Sequence, residues 1–264
     1  MKKVISINIK SDFGFLKKPD TNDPLYLTFN MLHKPALLGI LGAILGERGF
    51  QKQGELPEYY KKLKDLKVSI APLEENEKNF HEKGNFTKTA ITYSNTTGLA
   101  SEEEGGNLMI TEQSLVAPAF KCWILIDTEK EIDTKLFLYL KNNQAEYLPY
   151  FGKNEYSLWW DKFAEYDFES FVPETEFKIN SLFIKEEALK DGKVQTRFQP
   201  GKLSLDADKY SYFEHLPVGY EEAPLFQYFY ADFVFTNWSL KQIYNLPDSC
   251  PLYKLSDGTI IQMF

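Results

Sequence analysis

The stretch His33-Lys34-Pro35-Ala36-Leu37-Leu38-Gly39-Ile40-Leu41-Gly42-Ala43-Ile44-Leu45-Gly46 decides how the rest of the chain is read. Pro35 suits the first helical position, where its missing N–H would have no partner in any case. The helix that follows is apolar nearly all round, so it is expected to be buried. Gly39, Gly42 and Gly46 recur at i, i+3 and i+7, and each costs up to ~1 kcal/mol of helix stability. Three on one face imply a close neighbour: a sheet backbone, or a ligand or RNA strand near the helix N-terminus. The apolar run Ala36–Leu45 is far short of the ~20 residues that span a bilayer. It reads as a core helix, and no membrane segment is expected.

Upstream, Val4–Lys10 alternates, with Ile5, Ile7 and Ile9 on one side and Ser6, Asn8 and Lys10 on the other, the period of a half-buried strand. It runs into a loop, Phe13–Pro19, that holds two aromatics and the pair Lys17-Lys18. Downstream, Leu56–Leu66 reads as a short amphipathic helix. From Leu73 to about Thr111 the chain turns polar, and Thr87–Thr97 is Thr-rich with alternation. That pattern fits an extended β-hairpin arm or a disordered surface loop. Val116–Asp127 is a strong strand, with Phe120, Cys122, Ile124 and Ile126 facing one way. Lys135–Asn142 reads as a helix and Glu146–Leu158 as a loop. Phe177–Ile184 and Phe226–Phe235 read as strands, and the Asp257-Gly258 turn marks a closing hairpin. The order predicts an α+β fold with a mainly antiparallel sheet.

The chain has 264 residues, is 43% hydrophobic, and carries 30 Lys+Arg against 38 Asp+Glu for a net charge of -8. Disorder as the main state is excluded by that apolar content. With no h-region at the N-terminus, a soluble, cytoplasmic protein is expected. The acidic total weighs against nucleic acid, since phosphate binding relies on Lys and Arg. The total hides an asymmetry, however. Residues 1–72 hold 12 Lys+Arg and 7 Asp+Glu, residues 73–115 hold 3 and 8, and residues 116–264 hold 15 and 23. The first quarter is basic and the rest carries the acid.

Little of the sequence points to catalysis. Cys122 and Cys250 cannot build a disulfide framework, and His33, His81 and His215 lack partners at metal-ligand spacing, so no metal and no cofactor is expected. Asp206 and Asp208 precede Glu214, but these are read as solvated loop acids. Neither GxGxxG nor a P-loop is present, and Ser94 and Ser157 lack a nucleophile-elbow context. His33 beside Lys34 is read as a helix cap or a phosphate contact. The loop Tyr150-Phe151-Gly152-Lys153-Asn154-Glu155 offers backbone N–H groups, a lysine and an amide to phosphate oxygens, or is a plain surface turn.

Taken together, three segments resemble the Cas-five family, the RAMP-superfamily subunits of type I CRISPR surveillance complexes. They are Ile5–Ile9 with the Phe13–Pro19 loop and the Lys34–Gly46 helix, the glycine loop Leu148–Tyr156, and the closing Tyr253–Gly258 hairpin. Among subtypes the likeness is greatest to type I-B. The resemblance implies an RRM-like (ferredoxin-like) body over 1–72 and 116–264, with additional C-terminal strands and a β-hairpin thumb inserted at 73–115. It implies binding of the 5′ handle of CRISPR RNA, capping of the Cas-seven filament, contact with a large Cas-eight-type subunit, and only indirect contact with target DNA. Carried over, the RNA-contact candidates are Lys17, Lys18, His33, Lys34, Gly152, Lys153 and Asn154, then Lys88 and Tyr93 on the thumb, then Arg197 and Lys202. One branch of the family is itself an endoribonuclease that resembles a Tyr/Lys/His site. The comparable strand here reads Phe120-Lys121-Cys122-Trp123, with no histidine after the lysine. A non-catalytic RNA scaffold is therefore expected, with a metal-independent endoribonuclease and a plain protein-interaction module as the alternatives.

Overall fold

The computed structural model describes residues 1–19, 25–74, 80–82, 84–94, 109–173, 176–184, 187–190, 193–196, 209–221, 226–240 and 250–264. The first part of the chain forms β1 (Lys2–Ser11), β2 (Phe13–Gly14), β3 (Leu25–Tyr26), α1 (Lys34–Leu45), α2 (Glu58–Leu63) and β4 (Val68–Pro72). Next come β5 (Phe80–Glu82), β6 (Asn85–Phe86), β7 (Lys88–Ser94), β8 (Met109–Val116), β9 (Ala119–Asp127), α3 (Glu131–Lys141) and β10 (Leu158–Tyr166). The remainder supplies β11 (Phe168–Ser170), β12 (Phe183–Ile184), β13 (Glu187–Lys190), β14 (Lys193–Thr196), β15 (Ser211–Tyr220), β16 (Tyr228–Thr236), β17 (Leu252–Leu255) and β18 (Ile260–Gln262).

The central sheet has the order β10-β1-β9-β4, and each neighbouring pair is antiparallel. Read along the chain, the sheet elements run β1-α1-β4-β9-α3-β10, which is the split β-α-β plan of a ferredoxin-like domain. Ile5, Ile7 and Ile9 of β1 join Phe120, Cys122, Ile124 and Ile126 of β9 beneath α1 and α3, where Leu37, Leu38, Leu41, Leu136 and Leu140 meet them. Burial of each such side chain contributes roughly 1.5–3 kcal/mol. The opposite face is covered at one end by the closing hairpin: Val4, Ala71 and Trp123 pack on Leu255, Ile261 and Met263. The fold is thus α+β and mostly antiparallel, with the parallel β3–β8 pair as an exception.

Several local expectations need correction. The close neighbour of the glycine face of α1 is α2, not a sheet: a Cβ on Gly42 would collide with the Tyr59 side chain. Gly46 lies past the helix as its left-handed C-cap, at φ +80°. Only Phe183–Ile184 of the expected strand 177–184 is a strand. Its backbone turns to different partners in succession, with Phe177 bonding Leu240, Asn180 bonding Ile260 and Leu182 bonding Ile70, so no ladder forms. Several strands have no counterpart in the sequence reading, among them β4 of the central sheet, β10 and β15. β10 bulges opposite Ile7, with Lys162 in the left-handed region at φ +55°, and the bulge breaks the alternation. β15 contains Pro217 and shifts register between Pro217 and Gly219.

The Thr-rich segment is a hairpin. β7 pairs with β8 from Lys88↔Leu115 to Ser94↔Met109, and β7 grows more exposed toward that far end.

Candidate nucleic-acid interface

The glycine loop is closed by two backbone bonds, Phe151 N–H to Tyr156 C=O and Tyr156 N–H to Lys153 C=O. Phe151 anchors it by inserting fully into the core and stacking on Phe120 at 5.8 Å. Gly152 takes φ +86°, and a Cβ there would run into the Phe15 carbonyl oxygen. Phe15 N–H in turn donates to Phe151 C=O at 3.0 Å. The two loops therefore meet backbone to backbone, and only glycine fits the contact.

The β7–β8 hairpin joins the same assembly through Lys153. Its ammonium donates to Glu112 of β8 at 2.6 Å and lies 3.0 Å from Glu155 and 4.2 Å from the Tyr93 ring centroid. Burial alone would lower the Lys153 pKa, but the hydrogen bonds to Glu112 and Glu155 outweigh it and raise it above the ordinary lysine range. Tyr156 ties the three segments together. Its hydroxyl lies 3.0 Å from Ser114 and 3.3 Å from the Tyr93 hydroxyl, and its ring lies 5.8 Å from Phe13. Lys17 is exposed beside the glycine loop, with its ammonium 3.8 Å over Tyr26, and Asn154 and Gly152 are exposed as well. The assembly thus brings Gly152, Lys153 and Asn154 of the glycine loop against Tyr93 of the hairpin, with Lys17 exposed two residues beyond Phe15.

Other candidates have internal duties. Lys18 lies 3.6 Å from Glu214, whose carboxylate accepts the Asn30 and Met31 N–H groups at 2.9 Å each. Lys88 donates to the side-chain oxygens of Asn30 and Asn85 at 2.8 and 2.7 Å, turned inward rather than out from the hairpin. Burial lowers its pKa, with Glu214 opposing. The same burial raises the pKa of Glu214. Glu214 is thus a buried strand residue of β15, not a solvated loop acid. Sequence reading missed it because its partners lie 183 and 184 residues away.

His33 and Lys34 are inside the molecule, 5% and 8% exposed. His33 is the N-cap of α1. Its Nδ1 accepts the Ala36 N–H at 3.3 Å, and its ring lies between Phe29 and Tyr228. Desolvation lowers its pKa to about 3, so it is neutral at pH 7. Lys34 donates to the Phe264 carbonyl at 3.2 Å, and desolvation lowers its pKa to about 8. The helix N-terminus is spent on its own cap rather than opened to phosphate. Arg197 and Lys202, like Asp206 and Asp208, lie outside the described residues.

Among the described residues no cluster of metal-ligating side chains occurs. Both cysteines are buried, and burial pushes the Cys122 thiol up. Lys121 donates to the Tyr166 hydroxyl and sits over Trp123. No described helix is long and apolar enough to cross a membrane.

No protein-family model matches the chain, and no curated protein matches it in sequence. Several of its structural neighbours are CRISPR-associated proteins. A CRISPR protein from Archaeoglobus fulgidus aligns over 100% of this chain and 98% of its own, at 11% identity and a TM-score of 0.46. A Cas protein aligns over 57% of each chain at 14% identity and 0.33. A chain of a CRISPR RNA-guided surveillance complex aligns over 57% of this chain and 58% of its own, at 11% identity and 0.38. All three scores lie below 0.5, so the ferredoxin-like assignment rests on strand order and pairing alone.

Proposed function

We propose that this chain is a non-catalytic CRISPR-RNA-binding subunit of a type I surveillance complex, of the Cas-five kind. In this reading it is a cytoplasmic subunit that holds the repeat-derived 5′ handle, caps the Cas-seven filament and anchors the large subunit. The observation that supports it is the convergence of three segments distant in sequence. The Phe13–Pro19 loop, the glycine loop and the β7–β8 hairpin lock together around Tyr156 and Lys153. In this reading Lys17, Gly152, Lys153, Asn154 and Tyr93 of these segments contact the RNA. A non-catalytic role fits the state of His33, whose enclosed ring caps a helix and is not presented as a base to a ribose hydroxyl.

The test is to express the chain with its candidate partner subunits and a CRISPR array, then sequence the RNA that copurifies. The expected result is RNA whose 5′ ends lie within the repeat, retained several-fold less by the Lys17→Ala/Lys153→Ala double variant. Absence of RNA, or 5′ ends unrelated to the repeat, overturns the reading. Full retention by the double variant overturns the assignment of these lysines.

A further inference from the structure

The cations proposed for RNA contact at this surface are mostly not presented to solvent. Of the candidate cations, Lys153 is engaged by two carboxylates. Lys18 lies beside the buried carboxylate of Glu214, and Lys88 points into the Asn30–Asn85 pair. His33 and Lys34 are enclosed. What this surface does expose is aromatic carbon. Phe13 and Tyr93 are each 37% exposed although both touch the buried Tyr156, which fixes them relative to one another. Phe13 is further held by the pairing of β2 with Val116, and Tyr93 by its place opposite Ile110 in the hairpin. These rings are preorganised, so little side-chain entropy is lost when something lies against them.

We infer that Phe13 and Tyr93 are stacking platforms for unpaired RNA bases, and that the strand is held here mainly by stacking, with no more than two phosphate contacts. The inference rests on the RNA-binding reading above and specifies its chemistry. A duplex hides its base faces, so the ligand is single-stranded. Stacking on an aromatic ring tolerates any base, whereas a phosphate contact requires a cation and releases a counterion. The two cations counted toward such contacts are Lys153, which lies 4.2 Å from the Tyr93 ring centroid although it is already paired with Glu112 and Glu155, and Lys17, which is exposed further along the loop from Phe13. For single strands each phosphate contact contributes about -0.7 to the slope of log affinity against log salt, so two give about -1.4. A grip built from all the candidate cations would be much steeper.

The experiment measures fluorescence anisotropy of the full chain with a fluorescein-labelled RNA of about 12 nucleotides. The RNA is tested single-stranded and annealed to its complement, between about 50 and 200 mM salt. The expected result is weak single-strand binding, a slope no steeper than about -1.4, and much weaker binding of the duplex. Phe13→Leu and Tyr93→Leu keep the apolar bulk but remove the ring face, and each should weaken binding roughly 10-fold, while Tyr93→Phe retains it. A slope of about -3 or steeper overturns the stacking inference and leaves the RNA reading in place. So do equal duplex affinity and leucine variants that bind RNA normally, including the case in which those variants instead lose a protein partner. Failure to bind either RNA form overturns both.

Discussion

At the scale of single residues, His33 shows how one side chain couples a helix to solvent pH. Its pKa is lowered from 6.5 to about 3 by burial. The unfolded chain therefore takes up a proton near pH 6.5 that the folded chain refuses until about pH 3. Stability from this group is fully present above pH 6.5 and is lost as the pH falls through that window, at up to about 1.4 kcal/mol per unit. Asparagine is among the best N-cap residues and does not titrate. His33→Asn should thus keep the cap and flatten the acid limb of the stability curve, as read by urea denaturation between pH 7 and pH 4. An unchanged limb would show that the ring protonates in place. The capping role itself was legible, since His33-Lys34-Pro35 reads as a helix start. The burial of Lys34 was not, because its acceptor lies 230 residues further on.

At the scale of elements, the glycines of α1 separate two effects that sequence treats alike. Replacing helical glycine by alanine gains about 1 kcal/mol of propensity. At Gly39 the new Cβ would sit in ordinary contact, 3.7 Å from the Tyr59 hydroxyl, so Gly39→Ala should stabilise by up to about that amount. At Gly42 the Cβ would strike the base of the Tyr59 side chain, and overpacking costs roughly 1–3 kcal/mol. Gly42→Ala should therefore be net destabilising. Equilibrium unfolding of the two variants checks the opposite signs, and the same sign in both would remove Tyr59 as the cause. Alternation exposed β1 and β9, an apolar run behind Pro35 exposed α1, and the Asp257-Gly258 turn exposed the closing hairpin. Alternation failed at β10 and β15, where a bulge at Lys162 and an irregularity at Pro217 interrupt it. The candidate site was partly legible for a different reason. Its glycine loop and lysine pair are local motifs, whereas Glu112, Ser114 and Tyr93 of the hairpin join the loop only through tertiary contacts.

At the scale of the whole molecule, the two margins of the central sheet are finished differently. Along β4, Val68 exchanges backbone bonds with Phe264, and Leu182 N–H donates to Ile70, so that margin is already paired. Along β10 no described strand follows, and the margin instead carries the bulge and the left-handed Lys162. A twisted, lysine-bearing border is a poor template for another strand. Straightening it by deleting Lys162 should increase self-association over that of the parent chain, seen as a steeper concentration dependence of mass in light scattering. An unchanged dependence would show that the bulge serves another purpose. The consequence concerns how copies and partners can be added to this molecule. Growth by continuing the central sheet is closed at one border and discouraged at the other, so what is added at those two borders has to meet side-chain surfaces, which can be told apart from one another, rather than backbone ribbons, which cannot.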